Sequence, residues 1–261
     1  MKKLLFLIAI IASMWQVAVA QEADTVWTKN LGTDVYRVEF VQNEEYILAS
    51  TDFQLYKIRT SDAEIVNEFK LNSHPKNYAI MSDGERILLP GYNILDLKSG
   101  IIIENFYVSD SRLQYSNGDT TLPFKESGVG QIHLSPDDRY LAANWAGRVY
   151  FPNQTIKDYR KVVILDIIER KVIKIMDYDI SKDPSAFAFS PDGKYLAVGF
   201  SNGDVELWDG KTFEFVKYIS KIDNKISHLE FNFDASLIQI CNGKLNVLET
   251  NTLNNIFQKI L

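Results

Sequence analysis

Polar turns divide this chain into short apolar runs at a regular pitch. An apolar residue closes one run, a polar turn follows, and a second apolar residue stands six positions further on. The pairs are Phe40 and Tyr46, Met81 and Ile87, Leu134 and Tyr140, Phe189 and Tyr195, and Phe231 and Leu237. Between them lie turns such as Ser82-Asp83-Gly84-Glu85, Ser135-Pro136-Asp137-Asp138 and Ser190-Pro191-Asp192-Gly193. Pro presets φ at the first corner of such a turn, and Asp and Gly suit the remaining positions. The flanking runs are rich in β-branched and aromatic residues, which predicts strands. A third run follows each pair: 53–59, 92–97, 162–167, 205–209 and 245–250. A fourth leads to the next unit: 65–71, 101–108, 171–176, 213–219 and 253–261. Five units of four strands account for most of the chain.

The clearest unit is Ser185 to Asp209, S-A-F-A-F-S-P-D-G-K-Y-L-A-V-G-F-S-N-G-D-V-E-L-W-D. It resembles a WD40 repeat, one blade of a β-propeller. The Trp208-Asp209 slot is filled by Leu95-Asp96 and Leu165-Asp166 in other units, and more loosely by Leu248-Glu249. The resemblance implies an all-β fold, a β-propeller of four-stranded antiparallel blades, because a blade cannot bury its faces alone. The family's Gly-His pair before the first strand is missing, so its buried His–Ser–Asp–Trp arrangement is not expected. The segment Trp27 to Leu31 reads as one extra strand. Five blades with that strand at the seam, a ring of six blades, and an incomplete ring remain open.

Residues 1–20 stand apart. Lys2 and Lys3 precede an apolar run, and Val17-Ala18-Val19-Ala20 ends in a small-residue cleavage pattern before Gln21. This predicts a signal peptide over 1–20, a propeller over 21–261, and a periplasmic or extracellular protein. The apolar run is shorter than the ~20 residues of a membrane span, and the mature chain contains no longer one. The formal charge of −6 becomes −8 without residues 1–20, which hold two lysines and no acid. That balance disfavours nucleic acid as a partner. Cys241 is the only cysteine, so stability rests on packing without an internal disulfide.

The units are not evenly spaced. Phe40, Met81, Leu134, Phe189 and Phe231 are 41, 53, 55 and 42 residues apart. The extra residues fall at 109–130, between units two and three, and at 145–161, between the second and third strands of unit three. In an antiparallel blade, second-to-third turns and blade-to-blade crossings lie at the same end of the ring. Both insertions are therefore expected on one face, bordering unit three. They contain Arg112, Tyr115, Phe124, Trp145, Arg148, Tyr150, Phe151 and Tyr159. Arg and aromatic residues commonly anchor interfaces. These side chains either pack the insertions together or form a binding patch. Ser116-Asn117-Gly118-Asp119 repeats the Ser201-Asn202-Gly203-Asp204 turn and marks either a small hairpin or a worn remnant of another blade.

Catalytic signals are weak. Gly199-Phe200-Ser201-Asn202-Gly203 matches G-x-S-x-G, but that motif requires a strand-to-helix turn, and here it joins two predicted strands. His74, His133 and His228 sit beside or within first strands, with no metal-ligand spacing around them. No metal or cofactor is expected. The favoured reading is a non-catalytic exported scaffold that binds a protein or a glycan through the face bearing the insertions. The alternative is a propeller enzyme, a hydrolase or lyase, with its site in the central channel among Arg37, Glu39, His133 and Glu230.

Overall fold

A computed structural model describes residues 27–71, 77–89, 92–105, 115–116, 121–122, 126–150, 156–178, 182–221, 225–232, 237–241, 244–248 and 255–260. The expected signal peptide lies outside them. All regular structure in these residues is β, in five four-stranded sheets and one two-stranded sheet. Blade one is β1 (Arg37–Val41), β2 (Tyr46–Ser50), β3 (Gln54–Arg59) and β4 (Ile65–Lys70). Blade two is β5 (Ala79–Ile80), β6 (Arg86–Leu89), β7 (Asn93–Asp96) and β8 (Ile102–Asn105). A two-stranded hairpin follows, β9 (Tyr115–Ser116) and β10 (Thr121–Leu122). Blade three is β11 (Glu126–Leu134), β12 (Tyr140–Tyr150), β13 (Ile156–Asp166) and β14 (Lys171–Tyr178). Blade four is β15 (Pro184–Phe189), β16 (Tyr195–Phe200), β17 (Asp204–Asp209) and β18 (Phe215–Lys221). Blade five is β19 (Ile226–Phe231), β20 (Leu237–Cys241), β21 (Lys244–Leu248) and β22 (Asn255–Ile260). Each blade is antiparallel with its strands in chain order.

The first-to-second turns explain themselves chemically. In blades three and four the Ser hydroxyl donates to the Asp two residues on, and the Tyr amide opening the next strand donates back to the same hydroxyl. Lys194, then Ser190, hold the Asp192 carboxyl down to about 2. The repeated S-P-D sequence is thus a closed hydrogen-bond ring under each hairpin.

Side-chain alternation then divides each blade between two neighbours. On β16, Leu196, Val198 and Phe200 pack with Ala142, Val162, Ile164 and Met176 of blade three. Ala197, between them, packs with Ile226, Leu229 and Phe231 of blade five. The same split joins blade two to blade three through Met81, Leu88, Leu141 and Val163. It joins blade one to blade two through Leu48, Leu55, Tyr78 and Ile87. Polar stitches cross the same seams. Arg37 Nη1 donates to the Tyr78 carbonyl at 2.6 Å, Asn144 Nδ2 to the Pro184 carbonyl at 2.6 Å, and Ser185 Oγ to the Ile226 carbonyl at 2.6 Å. The Asp138 carboxylate accepts from the Ser82 amide and hydroxyl.

Two expectations are corrected. Residues 27–31 form no strand. Instead Trp27 and Leu31 lie on the second face of blade one, against Ala49, Tyr56, Ile58 and Ala63, and the Trp27 indole donates to the Thr60 carbonyl at 2.7 Å. An indole with an apolar body and one donor suits such an edge better than a ladder strand. The second correction concerns 145–161, which is largely paired strand and not loop. β12 and β13 stay in register from Tyr140–Asp166 out to Tyr150–Ile156. The run Trp145-Ala146-Gly147-Arg148-Val149-Tyr150 carries enough β-forming residues to continue the ladder. The hairpin expected around Asn117-Gly118 is present, with Ser116 opposite Thr121.

Gly199 marks the tightest seam. A Cβ at this position would lie 2.7 Å from Ile226 Cγ2 and 3.0 Å from Leu229 Cδ1. Gly199→Ala should therefore destabilise the fold by roughly 1–3 kcal/mol in urea unfolding. The cost should shrink in an Ile226→Ala background, where the clashing methyl is gone.

Candidate functional site

Blade three is the irregular one. Its first three strands run on beyond the blade body as a paired arm. Glu126, Ser127, Gly128 and Val129 of β11 pair with Arg148, Gly147, Ala146 and Trp145 of β12. The end of one expected insertion is therefore hydrogen-bonded to the other. The arm rises at the crossover end of the ring, where β14 passes to β15 and β16 turns into β17.

Alternation sorts the arm's side chains into two sets. Leu141, Ala143 and Trp145 share the side that packs on blade two, and Trp145 is only 8% exposed within that core. Tyr159, opposite Gly147, belongs to the same side and is half-buried. Arg148 and Tyr150 lie on the other side with Asn144, which bonds to blade four. Arg148 pairs with Asp158 at 2.7 Å. Arg160 reaches Asp183 on the crossing into blade four at 3.1 Å. Tyr115 lies on β9. Arg112, Phe124, Phe151 and His74 lie outside the described residues. The four candidates on the arm are thus divided between its two sides. Trp145 and Tyr159 flank the seam to blade two, while Arg148 and Tyr150 face the side of blade four.

On that side lies a group that the sequence reading did not single out. The Lys182 ammonium, on the β14–β15 crossing, is 2.5 Å from Glu206 Oε1 and 3.9 Å from Asp204 Oδ2. It stands 4.6 Å from the Phe200 ring centroid, 5.7 Å from that of Tyr178 and 5.8 Å from that of Tyr218. Three aromatic rings and two buried carboxylates around one ammonium form a cation cage. Its second shell is ordered: the Tyr178 hydroxyl donates to Glu206 Oε2 at 2.9 Å, the Trp208 indole donates to the same oxygen at 3.2 Å, and the Tyr218 hydroxyl donates to Asp204. Burial, then the Glu206 charge, pushes the Tyr178 phenol well up. Burial, then the bond to Asp204, raises Tyr218 to about 12. The signal was present as Asp204-Val205-Glu206-Leu207-Trp208, where alternate residues place two carboxylates and an indole on one face of β17. An open groove of about 360 Å³ borders the cage, lined by Tyr178, Glu206, Trp208 and Phe215 among others.

The central channel carries the second polar group. Arg37 pairs with Glu39 at 2.6 Å, and His228 lies 3.5 Å from Glu230. His133, from blade three, feels Arg37 of blade one and both His228 and Glu230 of blade five, so these first strands surround a common axis. Burial above all pushes the His133 imidazole down to about 4. His228, then burial acting the other way, sets Glu230 below its ordinary value. Glu230 nevertheless keeps 60% of its side-chain area open. Among the described residues, no group of three His, Cys, Asp or Glu could hold a metal ion. Ser201 sits in the β16–β17 turn, and its amide donates to the Asp183 carbonyl at 2.8 Å. The first glycine of its G-x-S-x-G motif is Gly199, required by packing against Ile226.

A family model, the anaphase-promoting complex subunit 4 WD40 domain, matches residues 159–248. The match runs from the third strand of blade three to the third strand of blade five and includes the cage. Together with the five sheets, it makes this chain a WD40-like β-propeller.

His133 gives a pH test of the channel. An imidazole titrating near 4 in the fold and near 6.5 in the unfolded chain makes the unfolded state bind the proton first. Stability should be full above pH 6.5 and fall as the pH drops towards 4. Urea unfolding should show a loss of about 2 kcal/mol between pH 6.5 and 4.5 that His133→Gln removes.

Proposed function

We propose that this protein is an exported, non-catalytic scaffold that docks a protein partner on its crossover face. WD40 propellers serve generally as protein-interaction scaffolds, and no helix among the described residues is long and apolar enough to cross a membrane. The observation that carries the reading is the arm of blade three. β12 and β13 continue in register beyond the blade body, β11 rejoins β12 after a bulge between Val129 and Ile132, and Arg160 of the arm pairs with Asp183, next to Lys182 of the cage. Arg148, Tyr150, Tyr178 and Tyr218 supply the Arg and Tyr chemistry typical of interface anchors. A protein partner is favoured over a glycan because the matched family is named for a subunit of a multiprotein complex.

The enzyme alternative draws on the His228–Glu230 pair and on His133. Against it, Arg37 and His133 are engaged by their own surroundings. Arg37 is held by Glu39 and the Tyr78 carbonyl, and His133 Nδ1 lies 3.0 Å from the Leu134 carbonyl oxygen. Arg37 and His133 are better accounted for as stitches to the neighbouring blade, through the Tyr78 carbonyl and the Phe189 amide.

Gly147 and Tyr159 face each other in the arm, so residues 148–158 can be replaced by an Asn-Gly turn without changing register. The shortened protein should melt within a few degrees of the parent. It should also lose the partner that the parent captures by chemical crosslinking and mass spectrometry of the envelope fraction. Retention of the same partner would remove the arm from the interface. N-terminal sequencing of the exported protein should begin at Gln21; recovery of an intact residue 1 in the cytoplasm would refute export.

A further inference from the structure

The cage is built for a cation and is filled by one that belongs to the chain itself. We propose that it is a recognition site for a lysine side chain of the partner, and that Lys182 is an internal ligand holding the site until it is exchanged. This rests on the reading of the crossover face as the docking face and specifies the chemistry of what docks there.

Three observations support exchange over a purely structural lock. First, the occupant identifies the ligand class: an ammonium lies 4.6 Å from the Phe200 centroid and 2.5 Å from a carboxylate oxygen that is itself buried. Second, Lys182 is carried on the inter-blade crossing and not on a strand, and a quarter of its side-chain area is solvent-exposed. No ladder hydrogen bond depends on where its side chain rests. Third, an open surface groove borders the cage. Glu206 and Tyr178 line both, Trp208 and Phe215 extend the groove's aromatic wall, and Trp208 stacks edge-on to Phe215 at 5.5 Å. A lysine stem can lie along these rings while its ammonium replaces that of Lys182 at Glu206 and Asp204. One cation leaves as another arrives, so no carboxylate is left buried and unpaired, which is the outcome that makes breaking such pairs costly. Because Lys182 is tethered, it competes at a local concentration of millimolar or more, which sets a threshold that a single weak lysine does not pass but a docked partner does.

Trp208 is the reporter, since its indole N–H donates to Glu206. The probe is N-acetyl-lysine methylamide, titrated into the whole mature protein while the Trp208 indole resonance is followed by NMR and assigned with Trp208→Phe. In Lys182→Ala the probe should give a saturable shift with a dissociation constant in the millimolar range, as a single cage interaction allows. In the parent the apparent affinity should be roughly tenfold lower because the site is self-occupied. The norleucine analogue, which lacks the charge, should not shift the resonance. Glu206→Gln in the Lys182→Ala background should abolish binding. Lys182→Met keeps the stem and serves if Lys182→Ala fails to fold. A folded Lys182 variant that shows no saturable shift, or one that responds equally to norleucine, overturns the proposal and leaves the cage as an inter-blade lock. Loss of partner capture on shortening the arm, with probe binding intact, would separate the docking face from the cage.

Discussion

A four-stranded blade has two apolar faces and can bury neither by itself. That constraint organises this molecule. Blades two, three and four each give one set of alternate residues to the preceding blade and the other set to the following one, and all four seams between consecutive blades are closed in this way. On the other face of blade one, among the described residues, Trp27 and Leu31 pack against Ala49, Tyr56, Ile58 and Ala63. The stitches between inner strands are secondary to this packing, but they set the height of one blade against the next. A backbone carbonyl or amide on one blade meets a side chain on its neighbour in each case.

The same constraint explains what was legible in the residues and what was not. The turns repeat because the hairpin needs them, so the five pairs of landmark residues located the strands to within a few positions. Phe189 and Tyr195 bracket a turn whose Ser190 and Asp192 close a hydrogen-bond ring, and that chemistry is readable without coordinates. Segments that depart from the repeat were harder. The length of 145–161 suggested a loop, although its residues alternate as strand residues do. Trp145 drew attention as an aromatic in an insertion and is in fact core, because the side of a strand on which a residue falls depends on register and not on its type.

The cage was missed for a different reason. Its members come from four places: the end of β14, a crossing, β16–β17 and β18. Only Asp204, Glu206 and Trp208 are close in sequence, and there they look like the polar half of an ordinary strand. What makes them a site is the arrival of Lys182 and Tyr178 from blade three, a juxtaposition produced by the seam. Sites at seams are poorly encoded locally, since each half appears complete without the other. The arm shows the opposite case: its strands are local, and its alternation was present in the sequence throughout.

The arm also constrains how this surface can vary. Its side chains are assigned to faces by strict alternation, and its base is fixed by the register of Tyr140 with Asp166. Losing a single residue from β12 beyond the blade body would turn Arg148 and Tyr150 to the side of blade two. Losing one residue pair from the tip of each strand would only shorten the arm. Its length is therefore free to drift in paired steps while the ring beneath is undisturbed, and this separates the part of the molecule that must pack from the part that is able to diversify.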